Sequence, residues 1–382
     1  MAQTEQQKPK PKRRGRGANH PAVMIGSAVF TLLLFLAVGG GLAGWYGEWA
    51  YRTPGPLASD KNVVIPRGSG LRDIADLLER EGVIRNWVVF VAGHQLTHRG
   101  EPMHAGEYAF KAGVTMASVV DTMTAGRVVQ HQITLPEGLT SQQVVDRLND
   151  NDMLTGTIRV PLEGTLLPET YAIVRGMNRQ EVLKRMTADQ QKVVADIWAK
   201  RAPDLPLKSP EELVILASIV EKETGKADER PHVAAVFVNR LARKMKLQSD
   251  PTIIYGIVGG KGSLGRPISR ADINTPTAYN TYAIDGLPPG PIGNPGKASL
   301  AAVANPMKSK DLYFVADGTG GHIFAETLDQ HNRNVARWRE IEAEAKAKAA
   351  AAAANPPAAS SPAPATPEPA AGTPPSTKPS TN

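Results

Sequence analysis

An uninterrupted apolar run near the start of the chain constrains its fold more than any other feature. No charged residue lies between His20 and Glu48, and the central stretch VMIGSAVFTLLLFLAVGGGLAGWY has 24 residues. About 20 apolar residues are enough for a helix to span a bilayer. The run therefore predicts a transmembrane helix over residues 22–47. Aromatic side chains cluster at its far end, as in the belt of a membrane interface: Trp45, Tyr46, Trp49 and Tyr51.

The distribution of charge predicts the orientation of that helix. Six of the first twenty residues are basic and one is acidic, so the remaining 362 residues carry only +2 of the net charge of +7. A basic flank stays on the cytoplasmic side, which predicts a cytoplasmic tail over residues 1–21 and an extracytoplasmic remainder. A nucleic-acid-binding protein would spread its basic residues over a folded face, so this class is excluded. A cleaved signal peptide is the alternative, although its apolar region is shorter, roughly 7–15 residues.

Cysteine is absent from the chain. This excludes disulfides, thiolate metal sites and a cysteine nucleophile. The histidines form no pair at metalloprotease spacing with a glutamate between them, so we expect no metal and no cofactor.

Two similar segments follow at an offset of 70 residues. The first begins Val-Val-Ile-Pro-Arg-Gly at Val63, and the second begins Ile-Thr-Leu-Pro-Glu-Gly at Ile133. Each continues with apolar residues at helical spacing, which predicts a strand, a turn and an amphipathic helix. Such units resemble LysM-like modules, which bind glycan strands. They are equally compatible with a spacer in which the units only pack against each other.

The rest of the chain predicts a second, larger α+β domain. Helices are expected over residues 179–200, from Ser209 onward, over residues 232–244 and over residues 331–354, with a hairpin near residues 312–325. The predicted fold class is therefore α+β, with one N-terminal transmembrane helix and a small LysM-like α/β subdomain ahead of this larger domain. The predicted boundaries are 1–21 for the basic tail, 22–47 for the membrane helix, 48–62 for a linker, 63–155 for the LysM-like subdomain, 156–345 for the larger domain and 346–382 for an Ala/Pro-rich disordered tail.

Two carboxylates end the apolar helical run Leu213 to Val220. A carboxyl group beside apolar packing has a raised pKa, as a general acid requires near neutral pH. At 100° per residue Glu221 falls beside the small residues Ala217 and Ser218, whereas Glu223 falls nearly opposite, so the two cannot act as a pair. The small neighbours leave room for a bulky ligand. We therefore predict Glu221 as the acid and a structural contact for Glu223.

Five motifs in order resemble the endolytic murein transglycosylase family, also called YceG-like, over about residues 60–345. They are Ile219–Thr224 (IVEKET), Leu247–Thr252 (LQSDPT) followed by Tyr255, Thr275–Tyr282 (TPTAYNTY), Gly286–Gly290 (GLPPG) and Tyr313–Ala316 (YFVA). The resemblance implies a protein of the bacterial inner membrane with an extracytoplasmic catalytic domain that cuts nascent peptidoglycan strands internally. It also implies that the catalytic glutamate is Glu221. A peptidoglycan synthase is the partner that the family's role implies.

The implied reaction needs a single glutamate. The acid protonates the glycosidic oxygen between N-acetylmuramic acid and N-acetylglucosamine, and the resulting carboxylate takes the proton of the muramyl C6 hydroxyl. That hydroxyl attacks C1 and leaves a 1,6-anhydro end. Polar residues of the other motifs are candidate sugar ligands, although each could also be a turn former or a core residue: Gln248, Asp250, Tyr255, Asn280, Tyr282 and, in a preceding loop, Glu163.

Two other functions remain open at this stage. Lysozyme-like hydrolysis would use a second carboxylate, either Asp250 or Glu163, beside the acid. A glycan-binding membrane anchor without activity would use the two repeats alone.

Overall fold

The computed structural model describes residues 21–354, and the predicted basic tail and the end of the predicted C-terminal tail lie outside them. The chain is α+β, with paired strands in four two-stranded sheets among the residues described. The helices are α1 (Pro21–Arg52), α2 (Leu71–Arg80), α3 (Trp87–Thr97), α4 (Met116–Thr124), α5 (Ser141–Asn149), α6 (Arg179–Ala199), α7 (Pro210–Glu223), α8 (Arg230–Ala242), α9 (Asp250–Val258), α10 (Arg270–Asn274), α11 (Lys297–Ala304) and α12 (Leu328–Ala354). The strands are β1 (Lys61–Ile65), β2 (Gly106–Phe110), β3 (His131–Thr134), β4 (Leu154–Thr155), β5 (Thr170–Ile173), β6 (Met177–Asn178), β7 (Tyr313–Ala316) and β8 (His322–Ala325).

Helix α1 is long and apolar enough to cross a membrane. It continues to Arg52, beyond the predicted end at residue 47, and its last turn is part of a hydrophobic core. Ala50 and Tyr51 are buried there, and so is Leu57. The segment 48–62 is therefore packed against the domain instead of forming a free linker.

Three hydrophobic cores follow each other along the chain. The first contains the end of α1, the antiparallel pair β1–β2 and α2–α4. The second contains β3, β5, α5 and the first half of α6. The third contains the second half of α6 with α7, α8 and α11. The hairpin β7–β8 packs against this third core through Phe314 and Phe324.

Both sequence repeats form the predicted strand, turn and helix, but they belong to different cores. The first repeat is β1 and α2, and the second is β3 and α5. The second repeat shares its core with residues 166–186, so the boundary predicted at residue 155 runs through a hydrophobic core. This arrangement does not establish a LysM-like subdomain.

The C-terminal helix begins earlier than predicted and runs through part of the predicted tail. It extends from Leu328 to Ala354, so residues 346–354 are helical. The remainder of the predicted tail lies outside the residues that the structure describes.

Candidate active site

Helix α7 carries both glutamates and is fixed at its start by its own sequence. Ser209 is the N-cap, and its side chain accepts a hydrogen bond from the backbone N–H of Glu212. Pro210 occupies the first turn, where its missing N–H costs nothing. Seven buried residues then hold the helix against the third core: Leu213, Val214 and Leu216 to Val220. The last turn places Glu221 and Glu223 in different surroundings.

Glu223 lines a cavity of about 380 Å³. Its Oε1 accepts a hydrogen bond from the Ser249 hydroxyl, which is itself buried. The other lining residues are Phe237, Arg240, Leu247, Gln248, Asp250, Tyr282, Phe314 and His331. The cavity is therefore lined by both apolar and polar side chains, as small-ligand sites usually are.

The environment of Glu223 favours its protonated form. Burial raises the pKa of Glu223 to about 7, and the charge of Asp250 adds to the rise. The Ser249 hydrogen bond and the charges of His322 and Arg240 oppose it but do not cancel it. A carboxyl group with this pKa can both donate and accept a proton near neutral pH. It is the property that a general acid–base catalyst needs.

Two segments bring three of the predicted sugar ligands to this cavity: Gln248 lies in the loop before α9, Asp250 begins that helix, and Tyr282 lies in the segment 275–282. Gln248 has a positive φ of 53°, an uncommon conformation for a residue with a side chain. The buried Arg240 holds the loop by donating to the carbonyl of Leu247 at 2.9 Å and to that of Leu312 at 2.6 Å. Backbone strain of this kind persists where surrounding bonds over-determine it.

Tyr282 and Asp250 are joined across the cavity wall. The Tyr282 hydroxyl donates to Asp250 Oδ1 at 2.6 Å. Burial and this hydrogen bond raise the pKa of Tyr282, so the phenol stays protonated and remains a donor. Asp250, for which the sequence left a turn as the alternative to a sugar contact, is the first residue of α9, with Pro251 in the first turn. The segments 247–252 and 275–282 meet through Thr281, which hydrogen-bonds the backbone N–H of Ser249 at 2.9 Å.

Glu221 lies outside this cavity. Its side chain is only 7% exposed and forms an ion pair with the equally buried Arg230, with 3.7 Å between Oε1 and Nη2. Its Oε2 accepts from the backbone N–H of Gly296 at 2.9 Å. The backbone of Gly138, with φ of +75°, packs against the Glu221 Cγ. These contacts place Glu221 between the second and third cores, where it joins the loops before α5 and α11.

Glu137 contacts the same glycine, Gly296, as Glu221 does. A Cβ on Gly296 would overlap the Glu137 carboxylate, so the two residues are in direct contact. Burial raises the pKa of Glu137, and the negative charge of Glu221 raises it further. The cluster fixes two loops against each other.

The model of the YceG-like family matches residues 63–337. The chain belongs to the YceG-like family. The matched segment of this YceG-like protein begins in β1 and ends in α12, so it contains the second and third cores and most of the first.

Relatives of this YceG-like protein include two that are named endolytic murein transglycosylase. The Bacillus subtilis (strain 168) protein is 29% identical over 306 residues, which are 71% of this chain and 83% of the relative. The Streptococcus pneumoniae (strain D39) protein is 29% identical over 364 residues, which are 81% of this chain but only 64% of the relative. A solved structure of a YceG-like protein from Listeria monocytogenes is 31% identical, with 72% of this chain and 99% of that chain covered and a TM-score of 0.44.

Three predicted ligands of this YceG-like protein do not reach the cavity. Glu163 accepts from the Ser141 backbone N–H at 2.7 Å and from the Tyr255 hydroxyl at 3.1 Å, so both Glu163 and Tyr255 are engaged near α5. Burial raises the pKa of Glu163 despite these bonds. Asn280 has no exposed surface, and its amide donates to the carbonyls of Ile273 and Thr275. Asn280 therefore shapes the loop and cannot contact a sugar directly.

Sequence reasoning assigned Glu223 to a structural contact and did not predict Arg240 or His331 at the cavity, or the hydrogen bond that Ser249 donates to Glu223. Glu223 and Ser249 lie inside two of the motifs that carry the family resemblance, so a signal existed for both. Arg240 and His331 lie outside every motif. Burial and the charge of Arg240 lower the pKa of His331, which therefore remains neutral at pH 7.

Proposed function

We propose that this protein is a membrane-anchored lytic transglycosylase that cuts the glycan strands of murein. Family membership supports this function, as do the relatives that are named endolytic murein transglycosylases. The observation that carries the proposal is a protonatable glutamate at the wall of a cavity lined by polar and apolar side chains. This combination fits a general acid that acts on a bound sugar.

Within this proposal, Glu223 is a better candidate for the acid than Glu221. The Glu223 carboxyl group has a pKa near neutrality and borders the cavity. Glu221 is held by Arg230 and by the Gly296 backbone, and both contacts favour a permanent structural role for its carboxylate. The sequence favoured Glu221 because of its small neighbours. The contacts assign those neighbours to core packing, since Ala217 and Ser218 are buried in the third core.

In the proposed reaction, Glu223 first donates its proton to the glycosidic oxygen between N-acetylmuramic acid and N-acetylglucosamine. The bond from C1 to that oxygen breaks while the muramyl C6 hydroxyl oxygen bonds to C1. The C6 hydroxyl gives its proton to the Glu223 carboxylate, so the acid is regenerated and no water is consumed. A pKa of about 7 suits a group that performs both transfers.

Gln248, Asp250 and Tyr282 are proposed to bind the strand beside Glu223. The three side chains line the same cavity and supply an amide, a carboxylate and a phenol. Polar groups of this kind match the hydroxyl and N-acetyl groups of the sugars.

The proposed location follows from α1. This helix would cross the cytoplasmic membrane with the basic tail inside and the catalytic cavity outside. Cutting a strand that is still being made would end its elongation, which places the protein beside the synthase that makes it.

A matched pair of variants tests the proposal. Glu223→Gln is expected to reduce the release of 1,6-anhydro products from peptidoglycan by about 10²–10⁴-fold, the usual contribution of a general acid. Glu221→Gln is the control, and it should retain activity in proportion to its folded fraction, as measured by circular dichroism. Full activity of folded Glu223→Gln would refute the assignment. Loss of activity in a fully folded Glu221→Gln would transfer the role to Glu221.

Hydrolysis is the second candidate function, because Asp250 lies in the same cavity as Glu223. A second carboxylate beside the acid is the arrangement used by glycosidases. Hydrolytic products would be heavier by one water than 1,6-anhydro products, so mass spectrometry of the fragments distinguishes the two reactions. Glu163, the other carboxylate considered for this role, is engaged by Ser141 and Tyr255 away from the cavity.

A further inference from the structure

Helix α3 exposes an apolar face although it belongs to a folded domain. Its sequence, Trp87–Thr97, contains no acidic residue, lysine or arginine. Phe90 and His94 face the first core. Val88, Ala92 and Leu96 follow each other at a spacing of four and are all exposed, with Leu96 at 86%. A contiguous exposed apolar face usually marks an interaction site.

This face adjoins the end of the proposed membrane helix. Gly93 lies so close to α1 that a Cβ there would stand 2.3 Å from the Tyr51 ring. The Tyr51 hydroxyl is 3.3 Å from Thr97 Oγ1. Between the two helices lies an apolar cleft of about 320 Å³. Glu48 and Thr97 are its polar lining residues, and the apolar ones include Ala43, Gly44 and Gly47 of α1 and Val88, Ala92 and Leu96 of α3.

The cleft lies at the depth of the aromatic belt. Trp45, Tyr46 and Trp49 are exposed on the part of α1 that borders it, with Trp45 at 68%. Such residues sit at the boundary between acyl chains and headgroups. From Ala43 to Tyr51 the helix rises only about 12 Å, so α3 lies beside the last turns of the apolar run.

We propose that α3 is a second membrane contact, with its Val88–Ala92–Leu96 face inserted into the outer leaflet. The apolar surface of α1 and this face are continuous across the cleft, so the lipid that covers one also reaches the other. Arg85 and Arg99, exposed just outside the two ends of α3, are placed to meet lipid phosphates. The inference rests on the proposal that α1 crosses a membrane.

The consequence concerns the catalytic cavity. One helix alone would allow the domain to swing about its point of exit. Two contacts with the bilayer would fix the orientation of the first core relative to the membrane, because α1 and α3 pack against each other through Tyr51 and Gly93. The cavity would then stay at a constant height above the membrane, where a membrane-attached glycan strand emerges.

The absence of cysteine allows a direct test in the full-length protein. Single variants Leu96→Cys, Leu162→Cys and Phe35→Cys are labelled with a nitroxide and reconstituted in vesicles of phosphatidylethanolamine and phosphatidylglycerol. Leu162 is a matched control, because it is 81% exposed but lies in the loop before β5. Phe35 lies in the middle of α1 and reports membrane insertion itself. Collision of the label with oxygen, which dissolves in acyl chains, is compared with collision with a water-soluble nickel complex.

We expect the oxygen-to-nickel ratio at position 96 to approach that at position 35 and to be several-fold higher than at position 162. A ratio at 96 equal to that at 162, with 35 still in lipid, would overturn the inference and leave the membrane anchor intact. A label at 96 shielded from both reagents would also overturn it, because a protein surface, such as a second copy, would then cover α3. A low ratio at 35 would refute the anchor on which the inference depends.

A functional readout separates docking from folding. Leu96→Glu is expected to lower cleavage of lipid-linked strands in the same vesicles several-fold, with cleavage of detached strands unchanged. Leu162→Glu is the matched control and should change neither rate. Equal cleavage of lipid-linked strands by Leu96→Glu and the unmodified protein would contradict a role for this face.

Discussion

Replacing Glu223 by glutamine should make the protein more stable at alkaline pH and not at acidic pH. The raised pKa means that the native state binds a proton more tightly than the unfolded chain does. As pH rises, the unfolded chain releases this proton first, and unfolding becomes more favourable until the native carboxyl group is also ionised. Glutamine keeps the shape and can still accept the Ser249 hydrogen bond, but it carries no charge to bury.

The magnitude follows from the difference between the two states. The pKa rises from an ordinary 4.5 to about 7, and each tenfold change in proton affinity corresponds to ~1.36 kcal/mol. The native state therefore loses ~3 kcal/mol of stability as pH rises from 4.5 through 7, with little further change above. This loss is specific to Glu223. As pH rises from 4.5 through 7, the free energy of unfolding of the glutamine variant should therefore increase by ~3 kcal/mol relative to that of the unmodified protein.

The assay is urea unfolding of the detergent-solubilised protein at acidic, neutral and alkaline pH, with both proteins measured under identical conditions. Glu221→Gln is the control, and it should lower the free energy of unfolding instead of raising it. It removes the carboxylate that pairs with the buried Arg230, and breaking a buried ion pair typically costs about 3–5 kcal/mol. A stability difference between Glu223→Gln and the unmodified protein that does not change with pH would refute the reasoning.

Three further results are expected. The rate of strand cleavage should fall about tenfold per pH unit above the Glu223 pKa of about 7, because the acid must be protonated, and a flat profile into the alkaline range would contradict this. Tyr282→Phe removes a hydrogen bond to Asp250, worth about 0.5–1.5 kcal/mol, so turnover should fall about 2–10-fold because Asp250 is no longer held in place, whereas an unchanged kcat would place Tyr282 outside the reaction. Gly93→Ala places a methyl group against the Tyr51 ring and should cost about 1–3 kcal/mol, visible as a lower thermal midpoint. An unchanged midpoint would show that the two helices separate easily.

Local signals predicted the secondary structure well. Strand β2 and the start of α7 agree with the sequence, because alternation in the one and a Ser-Pro-Glu-Glu cap in the other act within a few residues. The repeats were also predicted correctly as strand, turn and helix. Their membership of two different cores was not predicted. The second repeat shares its core with residues 166–186, and the pattern within each repeat does not show that contact.

The roles of the two glutamates show where sequence reasoning ends. Helical geometry correctly placed Glu221 and Glu223 in different surroundings. It could not show which of them borders a cavity, because that depends on the segment around Ser249, which lies outside the helix and approaches only Glu223. A motif likewise marks a segment without fixing where each side chain points. Asp250 and Asn280 both lie in motifs, yet one lines the cavity and the other is enclosed in its own loop.

The burial of the final turn of α1 has a practical meaning for biochemistry. A truncated, water-soluble version that started at β1 would lack Ala50, Tyr51 and Leu57, and the groove beside Gly93 would be left empty. Removing large side chains from a core typically costs several kcal/mol, about 3–5 for an aromatic ring. Weak activity of such a fragment would then report a damaged domain and say nothing about the need for lipid.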